Sequence, residues 1–250
     1  MRRQQEHREQ GILVAEGEKV VRRLLQSEFE VISLLFPEKW LESFEPLARA
    51  RVEEVGVYLA EKPVLEELTG FTFYQGVLAV GRIPRRRALE ELLSSCPQPA
   101  LLVAVDGLTS AENLGGLVRN CAAFGVHGLI VGETSSSPYL RRAVRSSMGT
   151  IFRLPVVEPD SLAVALHKLR GQGLRCIAAH PRSGAVSIDS SDFTRDCCIV
   201  FGSEGYGIST GVLDACDEQV RIPMAPQVNS LNVGHCSAVF LYEAARQRKK

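Results

Sequence analysis

Three segments of this 250-residue chain place glycines and polar groups just after an apolar run has ended. The first is Asp106-Gly-Leu-Thr-Ser-Ala-Glu-Asn-Leu-Gly-Gly-Leu-Val-Arg-Asn120, which opens a helix. Gly115 and Gly116 each cost about 1 kcal/mol there relative to alanine. Close approach of another backbone or a ligand would offset that cost. Asn113 is placed to cap the helix start. Arg119 is either a surface arginine after a tight turn or a cation aimed at a phosphate or hydroxyl. The second segment, Phe201-Gly-Ser-Glu-Gly-Tyr-Gly-Ile-Ser209, lets its backbone come close to a ligand through three glycines. It is neither a Walker loop nor GxGxxG, and it has no lysine to meet a triphosphate. It suits a less anionic ligand gripped by backbone N–H and C=O groups, or it is an ordinary glycine turn. The third, Ile222-Pro-Met-Ala-Pro-Gln-Val-Asn-Ser-Leu-Asn-Val233, is held extended by two prolines. Asn229 or Ser230 is placed to cap the helix that follows. Asn232 reads as a buried polar group that needs partners.

The elements that must position these loops alternate. Strand-like runs cover 100–106, 128–132, 174–179, 197–201 and 219–222, and helix-like stretches cover 111–124, 139–147, 161–170, 210–216 and 231–248. Several of the strands are continuously apolar, which suits burial on both faces. The alternation predicts an α/β fold with a mostly parallel sheet, and ligands then belong at the carboxyl ends of its strands. The first part of the chain reads as a small α/β unit, with helix over 12–26, strand over 29–36, helix over 40–50, strand over 55–60, a helical turn at 63–68 and strand over 76–81. Arginines at 82, 85, 86 and 87 and the break Cys96-Pro-Gln-Pro99 follow. The domain boundary is expected there, giving domains 1–95 and 96–250.

Composition narrows the class. Apolar residues are 45% of the chain and charged residues 23%, enough for a sizeable core. Basic and acidic residues balance at 29 each, so net charge neither advertises nor excludes a nucleic acid. No run of 18 apolar residues predicts a membrane span, and no signal-peptide h-region follows the charged first ten residues. The seven cysteines form no CxxC pair and read as reduced thiols of a cytoplasmic protein. The histidines show no zinc-like spacing, so no metal is expected. His235-Cys236-Ser237 lies in a helix without a GxSxG elbow, which leaves no nucleophile.

Taken in order, the three loops resemble the motifs of the SpoU/TrmH branch of the SPOUT methyltransferases. Motif one corresponds to Asn113-Leu-Gly-Gly-Leu-Val-Arg119, motif two to the 201–209 loop, and motif three to the 222–233 loop. Val144-Arg-Ser-Ser-Met-Gly149 is similar to a recurrent segment between motifs one and two. The resemblance covers roughly residues 100 to 248. Val14-Ala-Glu-Gly-Glu-Lys-Val-Val21 and Tyr74-Gln-Gly-Val-Leu-Ala-Val80 resemble the ribosomal-protein-like substrate-binding domain found in family rRNA methyltransferases. The resemblance implies a C-terminal α/β-knot domain with a deep trefoil knot, an exception to unknotted topology. It implies methyl transfer from S-adenosylmethionine to a ribose 2′-hydroxyl of RNA by a homodimer. Arg119 is then the catalytic arginine, and Asn113 fixes the first loop. Glu204 organises the second loop around the reacting ribose, and Ser230 and Asn232 complete the site. Gly202, Ile222 and Leu231 touch the cofactor, largely through backbone groups.

Two positions depart from the family pattern. Pro226 stands where glycine is common, removing an N–H and fixing φ. Gly234-His-Cys follows Val233, and a glycine so early is expected to loosen the last helix. The clusters Arg85, Arg86, Arg87 and Arg141, Arg142, Arg145 are either solvated faces or contacts to RNA phosphates. The N-terminal unit favours rRNA as substrate over tRNA. Rival readings are an RNA-binding protein that has lost methyl transfer, and a nucleotide-binding oxidoreductase, against which the absent GxGxxG counts.

Overall fold

The structure, a computed structural model, describes residues 7, 9–69, 76–182 and 184–249. Tyr74 and Gln75, named above, lie outside the described residues. The chain divides into two compact units, Met1–Arg85 with Pro138–Arg153, and Arg86–Ser137 with Leu154–Lys250.

The first unit is built on strands β1 (Ile12–Glu16), β2 (Val31–Phe36), β3 (Gly56–Leu59) and β4 (Leu78–Arg82), in spatial order β1-β4-β2-β3. Pairs β1/β4 and β4/β2 run antiparallel and β2/β3 parallel. Helices α1 (Glu18–Leu25), α2 (Leu41–Arg49) and α3 (Lys62–Thr69) complete it. Here the sequence expectation needs correction, because 12–26 is not one helix. Ile12–Glu16 pairs residue for residue with β4. Gly17, at φ 96°, turns the chain where a helix could not continue. Helix α1 then buries Val20, Val21, Leu24 and Leu25.

The second unit opens with α4 (Leu89–Ser95), β5 (Leu101–Val105), α5 (Ala111–Ala123) and β6 (Gly128–Val131). The chain then returns to the first unit for Pro138–Arg153, which holds α6 (Arg141–Ser146). Back in the second unit come β7 (Val156–Val157), α7 (Leu162–Gly171), β8 (Arg175–Ala179), β9 (Val186–Ser187), β10 (Cys197–Phe201), α8 (Thr210–Asp214), β11 (Glu218–Arg221) and α9 (Val233–Arg248). The seven strands form one sheet in the order β7-β6-β5-β10-β8-β11-β9. All its pairings are parallel. β5 and β10 lie side by side and are buried at every residue, as expected for strands covered on both faces. One layer packs Leu102, Ala104, Cys198 and Val200 against Leu162, Leu166 and Leu169 of α7. Elsewhere in the core, Phe240 of α9 meets Phe201 and Phe193 edge-on, with ring centroids 5.7 and 6.3 Å away.

The Pro138–Arg153 segment is tied to the rest of the first unit by charge and rings. Glu16 is only 7% exposed and pairs with Arg141 at 3.1 Å and Arg145 at 3.2 Å. A buried carboxylate needs such partners. Arg23 donates to the Met148 carbonyl at 2.6 Å, and the Phe29 ring sits 5.3 Å from Phe152 and 6.1 Å from Tyr139. All seven cysteines are free thiols. Among the described residues no helix is long and apolar enough to cross a membrane.

Candidate functional site

The site grows from the carboxyl ends of β5 and β10. Asp106 follows β5 and donates its N–H to the Phe201 carbonyl at 2.9 Å. Its buried carboxylate accepts the Ser209 N–H at 2.7 Å. The loop that leaves β10 is thereby held at both ends against the loop that leaves β5. Between them the chain forms a tight hairpin, with Ser203 N–H to Gly207 C=O at 2.9 Å and the reverse bond at 3.0 Å. Gly202 is obligatory here, because a Cβ would overlap the Gly207 carbonyl group and the Ile208 nitrogen. Gly207 reverses the chain at φ +70°.

The asparagines take roles that differ from the expected caps. Ser110 caps α5, accepting the Asn113 N–H at 3.3 Å. Asn113 sits a turn inside the helix, so its side chain is released from capping. Asn232, not Asn229 or Ser230, caps α9, accepting the Gly234 N–H at 2.9 Å. Its amide donates both hydrogens, to Asn113 Oδ1 at 3.2 Å and to Glu204 Oε1 at 2.5 Å. One side chain thus joins all three loops. Asn232 is exposed rather than buried, and its partners are polar side chains rather than core backbone. A Cβ on Gly234 would come within 3.1 Å of Asn232 Oδ1. That glycine therefore makes room for the cap instead of loosening the turn. At Gly116 a Cβ would meet nothing within 4 Å, so close packing does not explain that glycine.

Arg119 is exposed on α5 and, among the described residues, has no ion pair or hydrogen bond. Its neighbour Asn120, which sequence reasoning passed over, donates to the Gly234 carbonyl at 2.6 Å and to Ser237 Oγ at 3.0 Å. It fixes α5 against α9. The helical spacing of 113, 116 and 120 was the available signal.

Beside this network lies a cavity of about 320 Å³, the size of a small-molecule site. Gly202, Glu204, Ile222, Ser230 and Leu231 line it, whereas Asn113, Arg119 and Asn232 do not. Its apolar walls include Phe201, Ile208, Val220, Val233 and Phe240. His180, Met224 and Cys236 also line it and were not foreseen. Burial pushes the Cys236 thiol up to about 11, so it lines the cavity as a neutral group. His180 follows β8 and could have been found by the strand-end rule applied above. Pro226 is outside the lining and takes the second position of a turn closed by Val228 N–H to Ala225 C=O at 2.9 Å. Proline fits that position without loss of a needed donor. No group of three His, Cys, Asp or Glu able to hold a metal occurs among the described residues.

The basic clusters fare differently. Arg85, Arg86 and Arg87 are exposed, and Arg86 makes only a loose contact with Asp160 at 3.8 Å, of little energetic weight. Arg142 is exposed, while Arg141 and Arg145 hold Glu16.

Residues 100–242 match the SpoU rRNA Methylase family. An uncharacterized tRNA/rRNA methyltransferase of Mycobacterium leprae (strain TN) is 38% identical over 205 residues, covering 80% of this chain and 65% of that protein. The match therefore spans slightly less than two thirds of that relative's length. The SpoU methyltransferase AviRb from Streptomyces viridochromogenes, solved in complex with the cofactor AdoMet, superposes with TM-score 0.83 at 26% identity. That alignment covers 98% of this chain and 94% of the other. A solved RNA 2′-O ribose methyltransferase gives TM-score 0.81 at 28% identity, with 98% and 92% covered.

Proposed function

Because the chain belongs to the SpoU rRNA methylase family, we propose that it transfers a methyl group from S-adenosylmethionine to a ribose 2′-hydroxyl of RNA. The observation that carries this reading is the single amide of Asn232, which binds Asn113 and Glu204 together at the edge of the cavity. The residues present fit the cofactor. Apolar walls suit a flat purine, the Cβ-free Gly202 and the neighbouring loop backbone offer polar groups, and the Glu204 carboxylate suits a nearby sulfonium. When bound, the cofactor supplies an activated methyl group with a good leaving group and needs no metal.

Arg119 is permanently protonated, so it orients the substrate phosphate and stabilises charge that develops on the attacking ribose oxygen. Having no partner in the described chain, it spends none of its donors elsewhere. Asn113 and Asn232 fix the first and third loops, Glu204 organises the second around the ribose, and Ser230 adds a hydroxyl. Gly202, Ile222 and Leu231 contact the cofactor. Holding the oxygen in line with the methyl carbon supplies much of the rate. Arg85, Arg86, Arg87 and Arg142 present cations to RNA phosphates, and Arg141 and Arg145 join them while holding Glu16. We favour rRNA over tRNA, a cytoplasmic homodimer as the working form, and the family knot in the 202–232 loops.

The alternative, an RNA-binding relative without methyl transfer, rested on Pro226. Its comfortable place in a turn outside the cavity weakens that case. The test is methyl transfer from labelled S-adenosylmethionine to unmodified total RNA, followed by digestion to nucleosides, beside Arg119→Ala. The expected product is a labelled 2′-O-methylnucleoside that the variant fails to make. A wild-type protein that transfers no labelled methyl group to that RNA would refute the reading.

A further inference from the structure

The 202–209 loop carries one group that the reaction above does not use. Tyr206 is 99% exposed, so nothing in the described chain covers its ring. It is not a loose side chain on a loose loop. It occupies the hairpin closed by the paired Ser203 and Gly207 backbone bonds, and its own N–H donates to Ser203 Oγ at 3.1 Å. The hairpin base is in turn fixed through Ser209 to Asp106. A hydrogen-bonded turn therefore presents a large flat ring to water at the rim of the cavity, two residues along from Glu204.

We infer that Tyr206 is a stacking platform for an unpaired RNA base next to the ribose that receives the methyl group. This deepens the reading above and rests on it. The chemistry of the loop selects a base over a phosphate. Residues 202–209 contain a carboxylate, Glu204, and no lysine or arginine, which repels a phosphate but leaves the face of a neutral base indifferent. A tyrosine orders only two side-chain dihedrals on binding, and here its backbone is already ordered. Stacking also tolerates every base, because each has a π-face. Tyr206 thus acts as a positioning residue that keeps one nucleotide splayed out beside the reactive ribose, while discrimination between bases falls to other contacts.

The experiment compares wild type with Tyr206→Ala, Tyr206→Phe and Tyr206→Trp in the full chain. The readouts are Kd for a mixed-sequence single-stranded RNA oligonucleotide across a salt series, Kd for S-adenosylmethionine, and mass in solution. Tyr206→Ala is expected to weaken RNA binding by about 5- to 150-fold, the range one stacked base supplies. The salt slope should stay unchanged, since no phosphate contact is lost. Phe and Trp should restore binding, and Trp fluorescence should be quenched on RNA addition. Unchanged RNA affinity in Tyr206→Ala overturns the inference. So does a changed salt slope, a loss confined to S-adenosylmethionine, or a change of oligomeric mass, which would place the ring against a second copy. The underlying reading fails separately, by absence of methyl transfer in the wild type.

Discussion

Three glycines in one hairpin should respond to alanine in three different ways, and each response follows from a different physical cause. At Gly202 a Cβ overlaps backbone atoms of Gly207 and Ile208. Backbone cannot swing aside as a flexible side chain can, so the hairpin must open, sacrificing the reciprocal bonds between Ser203 and Gly207. Overpacking of this kind costs about 1–3 kcal/mol, and the two bonds contribute roughly 1 kcal/mol each. Gly202→Ala should therefore lose about 3–5 kcal/mol, seen as a melting temperature lower by about 6–20 °C. Because Gly202 lines the cavity, S-adenosylmethionine affinity should fall at least about tenfold, the equivalent of 1.4 kcal/mol. At Gly207 the space is open but φ is +70°, so alanine pays only backbone strain, about 1–2 kcal/mol. At Gly205 the space is open and φ is ordinary, so alanine should be silent. Thermal unfolding and calorimetric titration of S-adenosylmethionine on the three variants decide the matter. A Gly202→Ala protein that melts and binds like Gly205→Ala would refute the argument from close approach.

Two further predictions concern stability. Arg248 donates to the carbonyls of Phe193, Pro99, Ala100 and Arg195, so Arg248→Ala should cost about 2–3 kcal/mol by stranding those acceptors, measurable by urea unfolding. In the first unit, burial raises the Glu53 carboxyl, but the hydrogen bonds from Arg51 and the Val31 N–H outweigh it and hold the group below the ordinary carboxylate value of 4.5. Its contribution is then present above pH 4.5 and lost as pH falls through the lowered folded value. Acid unfolding of Glu53→Gln should show a shallower loss in that window, and parallel curves would refute the assignment.

Much of the second unit was legible because its physics is local. β5 and β10 are short apolar runs buried on every residue, and no other element accommodates such a run between helices. The two-residue strands β7 and β9 carry no period to detect. In the first unit, Ile12–Glu16 continued the apolar pattern of α1 without a visible seam, and only its pairing with β4 makes it a strand. At the site, the polar residues were recognisable by type, but their roles depended on where each helix begins. With α5 capped by Ser110 and α9 by Asn232, the expected cap Asn113 is released to join Asn232 and Glu204 in a network across three loops. The contributions of Met224 and Cys236 to the cavity wall arise from long-range convergence, which no single segment announces.

The return of Pro138–Arg153 to the first unit has a consequence for how the protein is made. The partners of Glu16 and Phe29 are encoded well after the first unit's other elements. On a ribosome adding about 5–20 residues per second, the first sheet waits several seconds for residues 138–153, with the Glu16 carboxylate and the Phe29 ring uncovered meanwhile. By then β5, α5 and β6 of the second unit have already emerged. Neither unit can therefore be cut out as a continuous stretch. A fragment starting at residue 96 would carry Tyr139, Arg141 and Phe152 without the surfaces that bury them, an aggregation hazard built into the gene order itself.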